Sequence, residues 1–148
     1  MTDVRPKSRS GARPARRIAL LALFAALSFS VSAWAGTYLN SAAFLLAQGS
    51  KEGDYLRVHM GDKELADLIH KLANARLDAA KNMLVPKEVV QAHPHLLLVL
   101  ENYERAADAA MRGEAEKFLI YQQRARDEDR TFRGVLKQFG YTLPDTKP

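Results

Sequence analysis

Residues 85–113 read VPKEVVQAHPHLLLVLENYERAADAAMRG, and their reading decides how this chain folds. The stretch opens on a proline, carries His93-Pro94-His95 in its first half and closes on Gly113. Between them Leu96 to Leu100 form an apolar run that passes into a helical pattern. Val89, Val90, His93, Leu96, Leu97, Leu100, Tyr103, Ala107 and Met111 recur at helical spacing and predict the inward stripe of a central helix over 86–112. Glu101–Arg105 and Asp108–Arg112 fall on its wet face as i,i+4 ion pairs. Pro94 removes the donor that the Val90 carbonyl would use, so a kink or a restart is expected at His93-Pro94.

Working outward, Val85-Pro86 ends the preceding helix, and Pro86 suits the first position of the next. That earlier helix is expected over 63–84, with Asp62 as its N-cap. Its inward stripe is read as Leu65, Leu68, Ile69, Leu72, Arg76, Ala79 and Met83, with Asp67–Lys71 paired outside. Downstream of Gly113 a helix over 114–139 turns Ala115, Phe118, Leu119, Gln122, Ala125, Asp129, Phe132, Leu136 and Phe139 inward. It stops at Gly140, and residues 141–148 are expected to be a loose tail. The first helix, over 37–60, places Tyr38, Ala42, Leu45, Gly49, Leu56 and Met60 on one face. Gly49 and Gly53 either let a neighbour approach one continuous helix or divide it in two; the continuous form matches the other helices in length. Helices of this size are about 33–40 Å long at 1.5 Å per residue. Connections of one to three residues then force antiparallel neighbours, which predicts an all-α, up-down-up-down four-helix bundle over 36–140. A broken first segment would leave a three-helix bundle instead.

The 148-residue chain has a formal charge of +5, which by itself suggests nucleic acid or an acidic membrane surface as partner. Its placement argues otherwise. Arg5, Lys7, Arg9, Arg13, Arg16 and Arg17 precede position 18 against Asp3 alone, and the rest of the chain carries equal numbers of basic and acidic residues. No nucleic-acid partner is expected. The basic segment runs into the apolar IALLALFAALSFSV of residues 18–31, and Ala33 and Ala35 supply small residues at the −3 and −1 positions of a cut before Gly36. Residues 1–35 are therefore read as a signal peptide. An uncleaved anchor over 18–35 is the alternative, and the membrane is a partner only in that case. Arg16-Arg17 fits an ordinary secretory leader better than a twin-arginine one, because Ala19 stands where a bulky apolar residue is usual.

The chain has no cysteine. That excludes disulfides, thiolate metal sites, covalent haem attachment, a cysteine nucleophile and a lipoprotein anchor.

Counting residues back from each turn brings Arg76, His93 and Asp129, with Gln48, to one height. These four are read as a candidate buried polar layer, structural in role, since buried charge is tolerated only when matched. The four histidines, His59, His70, His93 and His95, lack the paired E-x-x-H pattern of a di-iron site, and His70 is assigned to the wet face. A b-type haem bundle needs axial His or Met ligands on the first and last helices, and 114–139 has neither. His59, Met60 and Met111 form a weak soft-ligand set for Cu(I), better explained as gap-filling at helix ends. Ser41 and Ser50 have no histidine near in sequence, and no G-x-S-x-G elbow is present. The expectation is a non-enzymatic, exported helical protein of a bacterial envelope, periplasmic or secreted, without cofactor, acting on an unknown protein partner or as a structural component. A bundle that binds a metal or small ligand is the alternative.

Overall fold

A computed structural model describes the backbone of residues 15–146 and the side chains from residue 35 on. The chain divides into two units, Met1–Ala33 and Trp34–Pro148, and every side-chain feature below belongs to the second. The described residues are all-helical, with four α-helices among them: α1 (Ala15–Val58), α2 (Lys63–Lys81), α3 (His93–Met111) and α4 (Ala115–Gln138). A single 3-10 turn, Lys87–Val89, lies between α2 and α3. Among the described residues no strand is formed. The leader's apolar side chains and Ala33 of the cleavage motif lie outside the described ones. Among the described residues no helix is long and apolar enough to cross a membrane.

α1 is unbroken through Gly49 and Gly53, as the longer reading of that segment expects. It starts at Ala15 and not at Thr37, because Gly36 alone is a weak helix breaker and Ala/Leu-rich sequence favours helix on either side of it. From residue 35 the buried positions Ala35, Leu39, Ala42, Leu46, Gly49, Gly53 and Leu56 alternate by four and three, with Tyr38 and Ala43 buried beside them. That is a seam with a period of 3.5, the pattern by which helices pack side by side over several turns.

α2 is capped as expected: the Asp62 carboxylate accepts from the Leu65 N–H at 2.9 Å. Its inward face differs from the sequence reading by one residue position. Ala66, Ile69, Ala73, Arg76, Leu77 and Ala80 are buried, whereas Leu68 and Leu72 are 54% and 45% exposed. Ile69 and Arg76 are inward as expected, but Leu68, Leu72 and Ala79 are not. The helix turns Ala66, Ala73 and Ala80 to the core, and α3 presents Ala106, Ala107 and Ala110. Small residues on both sides permit close approach, and leucines there would overfill the gap.

α3 restarts at His93, with Pro94 in the first turn, where its missing N–H leaves no bond unmade. Val90 is consequently outside the helix and exposed, and Val99, Ala106, Ala109 and Ala110 join the buried face. α4 buries Phe118, Gln122, Ala125, Phe132 and Leu136 as its spacing predicts, while Leu119 and Phe139 stay exposed. Gly113 and Gly140 take φ of 76° and 80°, the left-handed conformation that ends a helix. The Glu114 N–H reaches the Ala109 carbonyl at 2.8 Å, and the Tyr141 N–H reaches that of Leu136 at 3.0 Å, closing both ends in the same way. Beyond Gly140 the chain is irregular, yet Tyr141 and Leu143 lie half-buried on the core.

α3 packs on both α2 and α4. The buried side chains form two apolar clusters. One centres on Leu96, Val99, Leu100, Phe132 and Leu136; the other centres on Leu56, Ile69 and Phe118 beside the alanines of α2 and α3. The expected surface pairs are present: Lys71 to Asp67 at 2.6 Å, Arg105 to Glu101 at 2.5 Å, and Arg112 to Asp108.

Candidate functional site

The buried polar groups gather around the two glycines of α1. Arg76 of α2, with a side chain only 8% exposed, donates from Nη2 to Glu52 Oε1 at 2.5 Å. Glu52 sits between Gly49 and Gly53, so the pair bridges α1 and α2 beside the glycine notch. Tyr103 of α3 fills that notch: a Cβ on Gly49 would lie 2.9 Å from its Cδ2. Gln122 of α4 comes as near to Gly53, where a Cβ would lie 2.6 Å from Nε2. Glu52 Oε2 and Gln122 Oε1 are buried without a hydrogen-bond partner among the described residues. Burial raises the Tyr103 pKa; a Ser50 hydrogen bond opposes the rise, Asp129 and Asp54 add to it, and Arg126 offsets it.

The four residues read as one polar layer take separate partners. Arg76 turns to Glu52, since the rotation of α2 aims it at α1. His93 lies in the first turn of α3, 3.1 Å from Nδ1 to the Tyr38 hydroxyl. Burial lowers the His93 pKa and raises that of Tyr38, so a neutral imidazole meets a neutral phenol in this hydrogen bond. Asp129 accepts from Arg133 of its own helix at 3.0 Å, and Gln48 is half-buried on α1. Counting heights placed residues along the helix axes but could not say which neighbour each side chain faced.

His70, assigned above to the wet face, is half-buried and hydrogen-bonds Glu104 of α3 at 2.8 Å. His95 pairs in the same way with Glu128 of α4. His59 Nδ1 engages the Tyr55 carbonyl at 2.9 Å, and Met60 and Met111 pack on the Leu56–Phe118 cluster. Among the described residues no group of three or more His, Cys, Asp or Glu is placed to hold a metal ion. Glu52, Glu104 and Glu128 were not singled out by sequence reasoning, and Tyr38 was read as a core-face residue without its hydrogen bond. The one legible sign was the glycine pair flanking Glu52.

Two surface features remain. Between α1 and α4 lies an open cleft of about 790 Å³, floored by Ala43, Leu46 and Ala47 and edged by Ser50, Lys51, Tyr103, Arg126, Asp129, Arg130 and Arg133. Pro144, Asp145 and Thr146 of the tail form its far wall. Between α1 and α2 lies an apolar groove of about 460 Å³, lined by Asn40, Ser41, Phe44, Leu45, Ala79 and Met83. The outward stripe Leu68, Leu72, Ala75, Ala79 of α2 runs into this groove at helical spacing.

No protein-family model, no curated protein and no solved structure matches this chain.

Proposed function

We propose that this is an exported, non-enzymatic protein of the bacterial envelope whose leader is cut between Ala35 and Gly36. The remainder is an up-down-up-down four-helix bundle that docks an apolar helix of a partner protein on its α1–α2 face. One observation carries the docking reading. α2 buries Ala66, Ala73 and Ala80 and leaves Leu68 and Leu72 outside, on the face that carries Ala79 into the Phe44–Met83 groove. A contiguous apolar stripe rimmed by polar residues is the usual mark of a protein contact, and a groove between two helices suits a third. Affinity capture from the envelope fraction tests it. Leu68→Ser with Leu72→Ser should lose the captured partner, whereas Leu119→Ser with Ile120→Ser on α4 should keep it. Equal capture by both variants would overturn the docking face, and capture of a second copy alone would make the contact a self-association.

A membrane-tethered module with a retained leader is a second reading, favoured by a specific observation. The bond to be cut lies inside α1, and Ala35 is only 2% exposed. A protease needs its substrate extended, so cleavage has to precede the folding of this segment. Trp34 is the only tryptophan, and tryptophan fluorescence in the purified envelope form separates the two readings.

A further inference from the structure

We infer that the cleft between α1 and α4 is a binding site for a small organic anion, a carboxylate or phosphate carried on an apolar body. The site does not depend on the docking face, which lies between α1 and α2. A volume of about 790 Å³ falls within the range that encloses small ligands. Its floor, Ala43, Leu46 and Ala47, offers apolar surface without bulk, and the Tyr103 ring closes one side. The rim sets four cationic side chains, Lys51, Arg126, Arg130 and Arg133, against two carboxylates, Asp129 and Asp145.

The cations differ in how far they are committed. Arg133 is held by both oxygens of Asp129 and orders that wall. Arg126 and Arg130 pair with Asp54 and Asp127, whose side chains are 59% and 50% exposed. Exposed pairs of this kind contribute little, so either guanidinium can turn to an anion in the cleft at small cost. Lys51 forms no ion pair among the described residues and stands at the mouth on α1. An acidic head between Lys51 and the two guanidiniums, with its body on the alanines, satisfies both the charge and the apolar floor. A neutral ligand would leave Lys51 without a counter-charge.

The test is an NMR titration of the purified protein, following the amides of Ser50, Lys51 and Arg130. The probes are 4-phenylbutyrate, phenyl phosphate and, as neutral control, 4-phenylbutanol. Saturable shifts with either anion and none with the alcohol are expected, weakening as salt is raised. Binding by one anion only assigns the head group. Lys51→Gln should weaken binding about tenfold, which is 1.4 kcal/mol. Ala47→Phe should abolish it by filling the floor, and Arg124→Gln, whose guanidinium lies over Tyr121, should leave it unchanged. Equal response to the alcohol, unsaturable shifts, or an unaltered affinity in Lys51→Gln would each overturn the proposal.

Discussion

Gly49 and Gly53 show how much a missing Cβ can decide. Both lie in a helix interior, where glycine is less favourable than alanine by about 1 kcal/mol. At Gly49 that gain is out of reach, because the added carbon would sit 2.9 Å from the Tyr103 ring. Gly49→Ala is therefore expected to lower stability by about 1 kcal/mol net, overpacking exceeding propensity. Gly134 on α4 has nothing within 4 Å of its would-be Cβ, and Gly134→Ala should raise stability by up to about 1 kcal/mol. Urea melts of the two variants check the pair of signs. The buried ion pair behaves differently again. Arg76→Met strands the Glu52 carboxylate and should cost about 3 kcal/mol, since removing one partner of a buried pair leaves the other charged and unanswered. Adding Glu52→Leu should recover most of that loss. If the double variant is no better than Arg76→Met, the pair is not the reason for the loss.

At the scale of the element, α2 is the instructive case. Apolar periodicity correctly placed the helix, its Asp62 cap and its approximate end, but the choice of face rested on side-chain size. Two stripes one residue apart both read as apolar, one rich in leucine and one in alanine. Which stripe faces inward depends on the gap to the neighbouring helices, and that gap is set by the alanines of α3 and the glycines of α1. The consequence is measurable. Ala73→Leu should destabilise the fold by about 1–3 kcal/mol, whereas Leu72→Ser, on the exposed face, should cost about 0.5–1 kcal/mol. Thermal unfolding of the two variants decides between the faces, and the reverse order would restore the leucine stripe as the core. α3 was read more successfully because proline is a local constraint. Pro94 permits only a helix start or a kink, and the chain takes the start.

For the molecule as a whole, His93 ties folding to pH. Its pKa is lowered by burial beside Tyr38, so the folded state holds it neutral. In the unfolded chain the ring titrates near its ordinary value of about 6.5. Above that value both states are neutral and the full stability is present. As the pH falls below it, the unfolded chain takes up the proton first, and stability is lost until the pH passes the lower folded value. Chemical denaturation at pH 7.5 and pH 5 should therefore show a loss that is smaller in His93→Gln than in the parent. An equal loss in both would place the acid sensitivity elsewhere than at His93.

The sequence by itself determined what is local: helical periodicity, the Asp62 cap, the stops at Gly113 and Gly140, and a kink or restart at His93-Pro94. Each depends on residues within a turn or two of one another. It also determined the lack of cysteine chemistry and the gathering of the net charge before position 18. Only the tertiary structure decided which stripe of α2 is buried, that Arg76 answers Glu52 and not Asp129, and that α1 and α4 stand apart over a cleft. Those outcomes turn on the distance and rotation between helices. Such quantities are set by the summed shape of facing surfaces, so no single segment carries them.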